Sequence, residues 1–139
     1  MGGDAVRYRD AEEDELELLQ SIRERWHEHL DGYEIGLVFR DKPQVKDARN
    51  CAATANKANP LVRHLVGWDG WIEVWDEAWS ADSEDWKEYL LDHELSHFQV
   101  NSKGEFGIVG HDIEEFEAVL QRHGVGVAGL RRLLESDGE

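Results

Sequence analysis

The chain is poor in the residues that staple, interrupt or extend a fold. Cys51 is the one cysteine in 139 residues, so no intrachain disulfide can form and no thiolate cluster can hold a metal. A reducing compartment follows, and the cytoplasm is the expected location. Nothing near Cys51 resembles an activating motif, so it reads as a small, half-buried strand residue. Two prolines leave no extended linker, and no internal repeat or low-complexity segment stands out. No apolar run approaches the roughly 18 residues that a membrane span needs. Residues 1–7 lack the apolar stretch of a secretory signal. Positive charge is scarce: 15 Lys and Arg face 31 Asp and Glu, for a net charge of −16. Such a surface repels phosphate backbones, which argues against direct nucleic-acid binding.

What remains is enough for one core. Hydrophobic residues make up 40% of the chain, with six Trp, which suits a folded domain rather than a disordered one. The length predicts a single domain over residues 1–139. Charge is uneven along it. Residues 35–67 hold Arg40, Lys42, Lys46, Arg49, Lys57 and Arg63 against two acids. An acidic peptide or polyanion could dock only there, although solvating bases on edge strands are the simpler reading.

Periodicity divides the chain into elements. Leu16, Leu19, Ile22, Trp26 and Leu30 recur at three- and four-residue steps, which predicts a helix over 10–30. Asp10 is its candidate cap with Glu13 as capping-box partner, and Gly32 stops it. His27 and His29 near its end suit the helix dipole better than a metal. Alternation predicts strands at 33–40 and 71–75, and more weakly at 49–54. Residues 61–66 fit either a short helix or a strand. A second long helix opens near Asp82 or Ser83 and carries Trp86, Leu90, His93 and His97 at steps of four, three and four. Residues 101–110 read as a loop or tight hairpin. Further helices are expected over 112–123 and 127–134. The whole predicts an α+β domain, with a small sheet of about three strands and helices packed on one side.

The second long helix holds the most informative pattern, His93-Glu94-Leu95-Ser96-His97. Composition alone would produce such a pattern about 0.04 times in a chain like this. Side chains four apart share a helix face, so two imidazoles could grip one metal ion. Glu94 could then act on water without being a ligand, the zinc-protease arrangement. Both imidazoles continue a buried stripe, and buried polar groups need partners. A third ligand is expected downstream. His111 is the first candidate, with Glu114 or Glu115 as alternatives, while Glu117 faces another side. Asp112 or Glu114 could instead orient a ligand histidine. His64 and His123 lack metal-ligand spacing to the motif.

Residues 91–97 followed by Gly110-His111-Asp112-Ile113-Glu114-Glu115-Phe116 resemble the phage metallopeptidase family. The match reaches back to Trp26, the 29–32 turn and the strands at 33–40 and 71–75. More distantly, Gly110-His111 before a helix with Phe116 is similar to the third-ligand segment of SprT-like zinc proteases, although Asp112 stands where a glycine is common there. The resemblance implies a minimal zincin-like domain with the His-Glu-x-x-His motif on its central helix. It implies Zn²⁺ on His93, His97 and His111, a metal-activated water, and Glu94 as the general base of peptide-bond hydrolysis. The expected partner is a protein or peptide substrate, with the 71–75 strand offering it an edge. Two other readings compete. One is a zinc-binding domain without turnover; the other is an acidic phage-type effector that mimics DNA or blocks a host protein.

Overall fold

The computed structural model describes residues 5–46, 48–80 and 83–109. Four strands form its main sheet: β1 (Tyr8–Asp10), β2 (Ile35–Arg40), β5 (Ala53–Lys57) and β6 (Gly70–Trp75). Their order is β1-β2-β6-β5. β2 and β6 run parallel, and the two outer strands are antiparallel to their neighbours. Two hairpins complete the strands, β3 (Gln44–Lys46) with β4 (Arg49–Cys51) and β7 (Phe98–Val100) with β8 (Phe106–Ile108). The helices are α1 (Glu13–Trp26), α2 (Pro60–Val66), α3 (Asp76–Ser80) and α4 (Glu84–Ser96). The architecture is α+β, as the patterning predicts, with β1 as a fourth strand.

Side-chain alternation sets the faces of the sheet. Leu37 and Phe39 of β2 lie beside Ile72 and Val74 of β6, and all four are buried. They form the core with Leu19 and Ile22 of α1 and Trp86, Leu90 and Leu95 of α4. On the other face Trp68 lies flat on Gly36, where any Cβ would run into its ring. Glu73, also on that face, accepts from Trp71 Nε1–H at 2.9 Å and Gln44 Nε2–H at 3.0 Å. Gln44 thereby anchors the base of the β3–β4 hairpin.

Several boundaries differ from expectation. Asp10 belongs to β1, and Glu12 caps α1 through a capping box with Glu15 instead of Glu13. Glu15 is held there because Arg9 reaches it with two 2.9 Å bonds. Arg9 also bonds Asp76 at 3.0 and 3.1 Å, and its guanidinium lies 3.9 Å from the Phe39 ring centroid. A contact between β1 and α3 is invisible to local patterning. Residues 49–54 divide between β4 and β5, because the chain leaves the hairpin at Ala52 and joins β6. Cys51 is fully buried, not half-buried. Residues 60–66 are helical: Pro60 occupies the first turn, Asn59 Oδ1 accepts from Val62 N–H at 2.9 Å, and Gly67 closes the helix with φ 76°. Ser83 caps α4. No helix among the described residues is long and apolar enough to cross a membrane. The helices expected over 112–123 and 127–134 lie outside the described residues.

Candidate metal centre

Among the described residues α4 is the most enclosed helix, above all over its C-terminal half. Tyr89 through His97 are all buried, although five of those nine side chains are ionisable: Tyr89, Asp92, His93, Glu94 and His97. A helix buried all round must satisfy such groups internally. His93, Glu94, Leu95 and Ser96 form its last turn, and His97 is its C-cap with helical backbone angles. The 3.6-residue repeat therefore still brings His93 and His97 to one side. Their ring centroids are 5.1 Å apart and the planes cross at 81°. Ligand-capable atoms of His93, Glu94 and His97 lie within 4.8 Å of one another. Two imidazoles and a carboxylate so close make a donor set suited to a divalent transition metal.

His97 is oriented by backbone. Its Nδ1 is 2.7 Å from the Val109 carbonyl oxygen. A carbonyl only accepts, so Nδ1 carries the proton and the lone pair of the neutral ring sits on Nε2. The Val109 N–H in turn donates to the His97 carbonyl at 2.8 Å. This backbone bond continues the β7–β8 pairing by one register step, since Phe98 already pairs with Ile108. The hairpin is held in place by aromatics. Phe98 stacks on Phe106 at 5.4 Å and Phe106 on Tyr33 at 5.1 Å. Gly70 lets Phe98 approach: a Cβ there would stand 2.6 Å from its ring.

Neighbouring groups are equally buried. His27 Nε2–H donates to Asp92 Oδ1 at 2.6 Å, and Ser96 Oγ–H donates to the Asp92 carbonyl at 2.8 Å. Burial, reinforced by the Asp92 charge, pushes the Tyr89 phenol up to about 12, so it keeps its proton at neutral pH.

A family model described as "Putative phage metallopeptidase" matches residues 6–136. The chain belongs to this family. Neither the curated proteins nor the solved structures compared with it gave a match. Membership of the phage metallopeptidase family implies a metal cofactor and peptidase chemistry, and the His93–Glu94–His97 cluster could hold such a metal.

Of the residues singled out from the sequence, the structure brings these three together. His111, Glu114 and Glu115, the candidates for a third ligand, lie outside the described residues, as do Asp112, Glu117 and His123. His64 is exposed on α2. His27 and His29 do more than complement a helix dipole, because each makes a directed bond. Patterning missed Asp92 and Val109. The one available signal was an aspartate between Leu91 and His93 in a helix with too many apolar neighbours to be solvated.

Proposed function

We propose that the chain is a zinc metallopeptidase hydrolysing a peptide bond in a protein substrate. The observation that carries the reading is the pair of buried imidazoles one helical turn apart, with the Glu94 carboxylate beside them. His93 and His97 would hold the cation, His97 through Nε2. His111 is the proposed third ligand, with Glu114 and Glu115 as alternatives. Val109 supports that proposal, since its backbone pairs with His97 and two further residues reach at most about 7 Å. When bound, zinc supplies Lewis acidity, which acidifies water and polarises a scissile carbonyl.

The chain's own groups do the rest. Glu94 takes a proton from the attacking water and returns it to the leaving amine. Burial of Glu94, 1% exposed, keeps that exchange out of bulk solvent. The Val109 carbonyl fixes the tautomer of His97 and so keeps its lone pair available.

Substrate placement needs one correction. The 71–75 strand is interior, flanked by β2 and β5, and offers no edge. Sheet pairing decided this, and the strand's own alternation carries no information about it. β5 is the outer strand on that side among the described residues, and α4 packs against it. Trp75 N–H donates to the Ala52 carbonyl and Ala58 N–H to the Asp69 carbonyl. Alternation along an antiparallel pair then turns the N–H and C=O groups of Ala55 and Lys57 outward. An extended peptide adding to that edge is the proposed docking mode.

Glu94→Gln tests the assignment. It removes the base while keeping shape and ligands, so hydrolysis is expected to fall by at least about a hundredfold with metal content unchanged. Cleavage at the wild-type rate would refute Glu94 as the base.

A further inference from the structure

We propose that the corner at residues 27–29 is a positioning element that sets the two imidazoles in register for the metal. The proposal rests on the metal reading above and goes beyond it in assigning His27, His29 and Asp92. The motif occupies residues 93–97, and the corner grips the chain on both sides of it. His27 Nε2–H donates to Asp92, the residue before the motif, at 2.6 Å. His29 Nε2–H donates to the carbonyl of Phe98, the residue after it, at 3.0 Å. The two rings come from one turn, with centroids 5.6 Å apart.

The corner is itself held rigid. His27 is the C-cap of α1 and opens a 3-10 turn over Glu28–Leu30. Leu30 N–H donates back to His27 O and Asp31 N–H to Glu28 O, both at 2.9 Å. Arg23 Nη2 spans the turn, donating to Leu30 O at 2.9 Å and Tyr33 O at 2.7 Å.

Packing alone does not require this arrangement. α1 and α4 already meet through buried apolar residues such as Ile22 and Leu90. A polar pair with Asp92 at 0% and His27 at 2% exposure is an expensive way to join two helices, and apolar replacements are often as stable. A directed bond adds what apolar contact lacks, namely a fixed rotation and height for the last turn of α4. Metal sites tolerate only about 0.2 Å of error in ligand distance, so that precision has a use at His93 and His97.

Zinc affinity of the full chain, measured by competition with a chromogenic chelator, tests the proposal together with the melting temperature of the metal-free protein. Asp92→Ala and His29→Ala are expected to weaken zinc binding about tenfold, the lower end of what groups behind metal ligands cost when removed. Asp92→Asn retains an acceptor for His27, and His29→Gln retains a donor for Phe98, so both should bind within about twofold of wild type. Leu19→Ala, buried in α1 away from the corner, should lower the melting temperature and leave affinity unchanged. His29 is exposed, so its variants report even if Asp92→Ala does not fold. Wild-type affinity in His29→Ala, or an equal loss in Leu19→Ala, overturns the positioning role. Wild-type affinity in His93→Ala overturns the metal reading instead.

Discussion

His97 takes its orientation from a backbone carbonyl twelve residues further along the chain. The proton on Nδ1 is therefore fixed before any metal arrives. Nitrogen-15 NMR of the metal-free protein at neutral pH should find His97 as the Nδ1–H tautomer, and the opposite tautomer would break this link. Glu15 offers a second test at the same scale. Burial raises its pKa, but the Arg9 hydrogen bonds, the Glu12 N–H and the Arg9 charge outweigh that, leaving it below the ordinary 4.5. The shift means that Glu15 stabilises the fold above about pH 4.5, and that the contribution fades as pH falls through the lowered value. The difference in melting temperature between wild type and Glu15→Gln should be constant near neutrality and shrink in acid. The three motif residues were legible in the sequence because helix geometry alone fixes their relation. The His27–Asp92 pair spans 65 residues, and no local pattern encodes a contact of that range.

Elements were legible where a capping side chain was read correctly, as at α4, and less so at α1, whose capping box lies at Glu12 and Glu15. Ser83 opens α4 through a 3.3 Å bond from Trp86 N–H. The helix expected over 10–30, by contrast, ends at Trp26 with His27 as its C-cap, and Gly32, with φ 88°, follows a separate 3-10 turn instead of stopping α1. Ser83→Ala should cost about 1 kcal/mol in denaturant unfolding. Pairing between elements was not legible. The alternation at 71–75 marks a strand, yet its position between β2 and β5 depends on partners from elsewhere in the chain. Gly36 belongs to the same class: the reason for a glycine is Trp68, a residue across the sheet face. Gly36→Ala forces the indole away and should destabilise the fold by about 1–3 kcal/mol, whereas an unchanged unfolding midpoint would contradict that packing.

At the scale of the molecule, composition showed an acidic chain but left the bases of residues 35–67 unplaced. Arg40 proves to face Glu73 at 3.4 Å and Arg63 to face Asp69 at 3.5 Å, while Lys46, Arg49 and Lys57 are exposed. These are mostly solvating bases, in keeping with the simpler expectation. The most consequential whole-molecule property is the interior location of α4. Burying ionisable groups in its last turn costs desolvation energy, and a cation held there would recover part of that cost as stability. Metal analysis of wild type and of the His93→Ala/His97→Ala double variant, each equilibrated with zinc and freed of excess, tests this most directly. The account predicts close to one zinc ion per wild-type chain and almost none in the double variant. Equal zinc in both proteins, or none in either, would contradict it.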